Sequence, residues 1–188
     1  MNSFKKRIAL KEWILAAIFA AITAIMAQII IQIPFSEVPI TLQTLAVFLS
    51  AAVLGSRGAF LSQLTYILIG AAGLPVFAGL KGGIHVLIGY SGGYIWSFPV
   101  AAFLTGFILE RKNNPSRIYM MIAMAVGLIV CYTLGTLQLA FILNLTLTKA
   151  LLAGVAPFIP LDLIKLTVAS LIGYEVRKAL IRANLIKA

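Results

Sequence analysis

The segment FIPLDLIKL, residues 158–166, sets the chain's only aspartate, Asp162, three residues before Lys165 in an otherwise apolar run. Spacing of i, i+3 puts both side chains on one helix face. A charge at membrane depth is costly, so such groups are as a rule paired, turned inward and functional. A carboxylate beside an ammonium in a dry site makes strong, selective charge-assisted hydrogen bonds. The plainer readings are an ion pair that orients the helix, or a lysine that snorkels to the interface. A second polar stretch is FSEVPITLQTL, residues 35–45. There Thr41, Gln43 and Thr44 can offer hydrogen bonds near the mouth of the bundle, unless Thr41 or Thr44 simply caps a helix. Glu37 belongs at headgroup level.

The third stretch, GLPVFAGLKGGIHVLIGYSGGY, has seven glycines in its 22 residues. Glycine allows positive φ and close backbone approach to a ligand. The stretch lacks the GxxxxGK[ST] pattern and follows an apolar helix, so it is not a nucleotide loop. It is too apolar for a solvated loop, which predicts a cap packed into the outer side of the bundle. His85 and Cys131 stand apart from other metal-binding types and read as an interfacial or core histidine and a small core residue, with no metal and no cofactor.

The elements that must position these residues are membrane helices. The chain has 188 residues, 62% of them hydrophobic and 11% charged, with a mean hydropathy of +1.06. Soluble domains carry about a quarter charged residues. A span takes roughly 20 apolar residues. The pattern predicts an all-α membrane protein of six transmembrane helices: 13–33, 40–54, 59–72, 94–109, 118–143 and 161–176. The second and third are short and predict a hairpin turning at Arg57 and Gly58, with re-entrant chain filling the remaining depth. Pro99 predicts a kink. The glycine-rich stretch becomes a re-entrant or external cap between helices three and four. Residues 1–188 form one integral-membrane domain, and no cleavable signal peptide is expected.

The net charge of +10 falls in short clusters between apolar segments, which marks topology and not a nucleic-acid stripe. With the N-terminus inside, twelve basic residues gather on the cytoplasmic side (Lys5, Lys6, Arg7, Lys11, Arg57, Arg111, Lys112, Arg117, Arg177, Lys178, Arg182, Lys187), against Lys81 and Lys149 outside. Both termini are therefore expected in the cytoplasm. In the first helix, small residues recur at Ala16, Ala20 and Ala24 and at Ala17 and Ala21. Such a face allows close helix contact, inside the bundle or with a partner.

Together these features resemble BioY, the biotin-binding S-component family of energy-coupling factor transporters. The resemblance covers most of the chain. It rests on VPITLQTLAVFLSAAVLGSRGAFLSQLTYILIGAAGLPVFAG, on the glycine-glycine-tyrosine at Gly92 to Tyr94, and on the Asp162-x-x-Lys165 pair. The family usually reads Gly-Pro-Thr-Gly-Gly-Tyr where this chain has Gly89-Tyr90-Ser91-Gly92-Gly93-Tyr94. Ser91 keeps a hydroxyl, while Tyr90 for proline changes the loop's stiffness.

The resemblance implies a six-helix S-component fold in the cell membrane that captures biotin from outside. It implies partnership with a transmembrane coupling subunit and two ATP-hydrolysing subunits, so this chain is not itself an enzyme. Its alanine face (Ala16, Ala17, Ala20, Ala21, Ala24) would contact the coupling subunit. Asp162 would accept ureido N–H bonds, and Lys165 would donate to the ureido oxygen or neutralise Asp162. Gln43, Thr41 and Ser91 would add polar contacts, and Tyr90 and Phe35 would cover the ring. Gly82 and Gly83 would let backbone amides approach the ligand. Lys81 offers a place for the carboxylate at the mouth, and the sequence does not choose between poses. The rivals are an S component for another vitamin, such as thiamine, or a small autonomous transporter.

Overall fold

The computed structural model describes residues 10–34 and 36–183. The basic residues Lys5, Lys6, Arg7 and Lys187 and the candidate Phe35 lie outside them. Among the described residues, seven helices and one small β-ribbon follow in chain order: α1 (Leu10–Met26), β1 (Ile30–Ile31), β2 (Ile40–Thr41), α2 (Gln43–Ala71), α3 (Ile84–Ile88), α4 (Gly92–Glu110), α5 (Arg117–Ile142), α6 (Leu147–Gly154) and α7 (Ile159–Arg182).

The burial pattern is that of a bilayer protein. Phe141 is 81% exposed, and Ile129 and Leu68 also face outward, while Thr23, Ser50, Gln63, Asp162 and Lys165 are buried. In lipid the apolar exterior is solvated, and polar groups must find each other inside. α2, α4 and α5 are each long and apolar enough to cross a membrane, and α6 with α7 makes a fourth candidate bent by 53°.

α2 runs 29 residues, but Gly55 within it has φ 72°, ψ −175°. Along an unbroken helix Gln43 and Tyr66 would lie about 34 Å apart. Instead Gln43 Nε2 donates to the Tyr66 hydroxyl at 2.7 Å, and Gln63 reaches Ser50 at 3.4 Å. The chain therefore reverses at Gly55, and arms 43–54 and 56–71 lie antiparallel. The expected turn at Arg57 and Gly58 is corrected to Gly55, because glycine takes the positive φ without cost. The carboxylate of Glu110 then caps the second arm, accepting from the Ser56 amide at 2.7 Å and the Ser56 hydroxyl at 2.8 Å.

Other boundaries also shift. α1 ends at Met26 instead of running to Ile33, closing with tight bonds from Gln28 N to Ile25 O and from Ile29 N to Met26 O. The residues beyond it form β1, which pairs antiparallel with β2, Ile30 opposite Thr41. The stop is tertiary in origin. Gln28 turns away and holds the cap, donating to Phe77 O at 3.1 Å and accepting from the Leu80 amide at 2.9 Å. α4 continues through the buried Pro99, and the connector before α7 contains α6.

The glycine-rich stretch packs as a cap. Phe77 is fully buried, its ring edge-on to Tyr66 at 5.5 Å and over Gly70, whose hydrogen leaves the room. Gln138 of α5 pins the far end of α3 by donating to the Leu87 and Gly89 carbonyls at 2.9 and 2.8 Å.

Candidate functional site

α7 begins with Pro160 in its first turn, where proline's missing N–H has no helical partner to lose. That start places Asp162 in the first turn, where the helix dipole favours a negative charge. Lys165 stands one turn on, and its Nζ lies 2.8 Å from Asp162 Oδ1. Both residues are buried, at 3% and 6% exposure.

Two other helices complete the pair. Thr44, at the start of α2, donates to Asp162 Oδ1 at 3.2 Å, and Lys165 Nζ donates to the Thr44 hydroxyl at 3.4 Å. Tyr132, midway along α5, donates to Asp162 Oδ2 at 2.7 Å. The aspartate thus accepts three hydrogen bonds from three helices. Among the described residues, a free acceptor position remains on Oδ2 and one ammonium proton of Lys165 remains undirected. Thr44 does not cap α2; the Thr41 hydroxyl accepts from its first amide, Gln43 N, at 3.3 Å.

A second polar chain runs beside the first. The Thr41 hydroxyl donates to Gln43 Oε1 at 2.7 Å, Gln43 Nε2 donates to the Tyr66 hydroxyl at 2.7 Å, and Tyr66 donates to the Val76 carbonyl at 3.1 Å. This chain links the β-ribbon, both arms of α2 and the cap.

The Asp162–Lys165 pair, Thr44, Tyr132, Thr41 and Gln43 open on one cavity between the helices and the cap. Its wall is mostly apolar and aromatic: Phe77, Val86, Tyr94, Ile95, Phe98, Leu128 and Phe158, with the buried thiol of Cys131 among them. Tyr94 stacks on Phe158 at 6.3 Å and donates to the Gly154 carbonyl at 2.8 Å. Its ring lies flat against Gly135, where any side chain would collide with it.

Among the sequence candidates, Asp162, Lys165, Gln43, Thr41, Tyr90, Ser91 and Lys81 all line this cavity, with Lys81 exposed at its rim. Gly82 and Gly83 do not line it. Gly82 lies against the backbone of Gly73 and Leu74, and Gly83, at φ 97°, donates its amide to Gly70 O at 2.7 Å. Their glycine character serves the fold of the cap. His85 is exposed. Tyr132 and Phe158 were not legible as site residues, since each is one aromatic in an apolar run with no spacing signal, while Tyr94 and Phe77 lie in the glycine-rich stretch without a signal that marked their side chains as cavity wall.

The alanine face divides. Ala16 and Ala20 are 1% and 2% exposed and pack into the bundle, so they are corrected from partner-facing to interior. Ala17 and Ala21 face outward, and Ala24 is half-buried against the core. The helix period separates the two rows, and α2 already covers one of them.

Residues 2–182 match the sequence model of the BioY family. The chain is 43% identical to the biotin transporter BioY of Thermotoga maritima, covering 90% of this chain and 97% of that protein. It is 40% identical to the probable biotin transporter BioY of Pyrococcus horikoshii, over 87% of this chain and 94% of that one. The crystal structure of the S component for biotin from an ECF-type ABC transporter superposes with a TM-score of 0.83 at 29% identity, covering 95% of both chains.

Proposed function

The chain belongs to the BioY family, a family of multi-pass membrane transporters, and we propose that it captures biotin as the substrate-binding subunit of an energy-coupling factor transporter. The observation that carries this reading is the buried Asp162–Lys165 pair, braced by Thr44 and Tyr132 at the wall of an aromatic cavity. Biotin presents a ureido group with two N–H donors and one carbonyl, an apolar ring, and a tail ending in a carboxylate. One ureido N–H matches the open position on Asp162 Oδ2, and the ureido oxygen matches the undirected proton of Lys165. A site built to pair such groups rejects analogues that leave them unpaired. The stacked Tyr94 and Phe158 suit the ring, and Lys81 at the rim suits the carboxylate.

Six membrane helices follow if α1, the two arms of α2, α4, α5 and α7 each count once. The arms, at roughly 18 and 24 Å, fall short of the ~30 Å hydrocarbon core, and the β-ribbon and the cap supply the missing depth. The basic residues Arg57, Arg111, Lys112, Arg117, Arg177, Lys178 and Arg182 then share the cytoplasmic side of the cell membrane. Release inward draws on partners: a transmembrane coupling subunit and two ATPase subunits. Of the alanines on α1, Ala17 and Ala21 are exposed and free to meet them.

Isothermal titration of the purified, detergent-solubilised chain tests the reading, with thiamine as the control. Tight one-to-one binding of biotin and none of thiamine is expected. Absence of biotin binding by folded, ligand-free protein would overturn it. Thiamine is cationic, and Lys165 beside the single acid of this cavity disfavours it.

A further inference from the structure

At the other end of α7 from Asp162, a second cavity opens between the first turns of α5 and the last turns of α7, and its wall includes Ser116, Tyr174, Arg177, Lys178 and Arg182. Among the described residues, no acid lines it. Glu175, the acid closest in sequence, is held by Arg117 at 2.7 Å. Glu110 is the acid whose charge reaches Arg177, and both its oxygens are engaged by Ser56. Nε of Arg177 is buried and, among the described residues, has no hydrogen-bond partner. A buried donor without an acceptor is costly, and such groups normally have one. Three cations therefore converge on a cavity with no acid in its wall, and one of them carries an unsatisfied N–H.

The depth of the cavity selects the ligand. α5 has 26 residues and α7 has 24, so they are about 39 and 36 Å long, longer than the ~30 Å hydrocarbon core. The end of the pair that holds the cavity thus reaches headgroup level. Ile181 of α7 lines the same cavity, an apolar side chain beside the basic ones. A free anion would use the cations alone, whereas a phospholipid uses both.

We propose that this cavity binds the phosphate of an anionic phospholipid, with Arg177, Lys178 and Arg182 around the headgroup and the start of the acyl chains against Ile181. Basic pockets between membrane helices recognise anionic headgroups in this way. The lipid would fasten the α5–α7 end at the membrane surface.

The test is native mass spectrometry of the purified chain in neutral detergent doped with phosphatidylglycerol or phosphatidylcholine. Phosphatidylglycerol is expected to stay bound and phosphatidylcholine to be lost. The triple variant Arg177→Gln, Lys178→Gln, Arg182→Gln should retain phosphatidylglycerol at least about tenfold less, while still titrating biotin. Equal retention by the variant, or equal retention of the two lipids, would overturn the site. Displacement of the lipid by millimolar inorganic phosphate would make the ligand a free anion and overturn the lipid assignment. If the variant lost assembly with the coupling subunits while phosphatidylglycerol never bound, the cations would belong to a protein interface and the proposal would fall. Should the triple variant fail to fold, the exposed Lys178→Gln alone is expected to weaken retention severalfold, and unchanged retention would overturn the site. Failure of biotin binding in the unmutated chain would strike the transport reading and leave this one standing.

Discussion

The hydroxyl of Tyr132 on α5 and the carboxylate of Asp162 on α7 meet at 2.7 Å, on the oxygen opposite the one that Lys165 holds. The tyrosine therefore fixes the rotation of the carboxylate and leaves one acceptor position on that oxygen. Tyr132→Phe keeps the ring and removes that bond. Hydrogen bonds to charged groups are worth about 1.5–3 kcal/mol, so biotin affinity should fall roughly tenfold or more. Titration checks it, and wild-type affinity in Tyr132→Phe would mean that the lysine alone orients Asp162.

Asp162 and Lys165 should separate stability from binding. Removing one partner of a buried pair leaves an uncompensated charge, at a cost of about 3–5 kcal/mol. Lys165→Met should lower the thermal midpoint in detergent sharply. The double variant Asp162→Asn, Lys165→Met should recover most of that midpoint yet bind biotin at least about tenfold more weakly, having lost its charge-assisted bonds. A double variant that binds normally would reassign the pair to structure.

Gly135 tests the aromatic wall. A methyl there meets the Tyr94 ring, which also stacks on Phe158. Overpacking of this kind costs about 1–3 kcal/mol, and its relief moves Tyr94 into the cavity. Gly135→Ala should weaken biotin binding while the chain stays folded. If affinity holds and only stability drops, the tyrosine wall does not touch the ligand.

The two rows of alanine make opposite predictions. Ala17→Trp and Ala21→Trp alter exposed positions, so the isolated chain should bind biotin normally while cellular uptake and assembly with the coupling subunits fail. Ala20, 2% exposed, has no room, and Ala20→Trp should reduce the yield of folded protein itself. Normal uptake in both exposed variants would remove the docking role from α1.

Gly55 is a position where the backbone itself requires glycine. Its φ of 72° is strained for any other residue, and a Cβ would strike the Glu110 carboxylate that caps the second arm of α2. Gly55→Ala should destabilise the chain by at least about 1 kcal/mol, read as a lower thermal midpoint. An unchanged midpoint would show that the turn can form without the glycine.

Much of this molecule was legible along the chain. Helices α4 and α5 lie within a few residues of where the apolar runs predicted them, because hydropathy reports partition into lipid, which is local. The hairpin character of α2 followed from two short runs joined near a glycine. The Asp162–Lys165 pair was visible because charge stands out in an apolar segment and i, i+3 spacing is a property of one helix.

What only the tertiary structure decided is which faces meet. In a soluble helix the apolar stripe marks the inward face. Here lipid is as apolar as the core, so the outward and inward faces read alike and the sequence carries no angular signal. Hence Tyr132, thirty residues from Asp162, could not be assigned to it. For the same reason the alanines of α1 did not reveal which row is interior. The end of α1 at Met26 depends on Gln28 reaching a cap some fifty residues away, and the places of Gly82 and Gly83 depend on the turn they pack against. Composition sets the solvent and the helices; the rotation of each helix against its neighbours, fixed by packing and by the few polar bonds between them, makes the site.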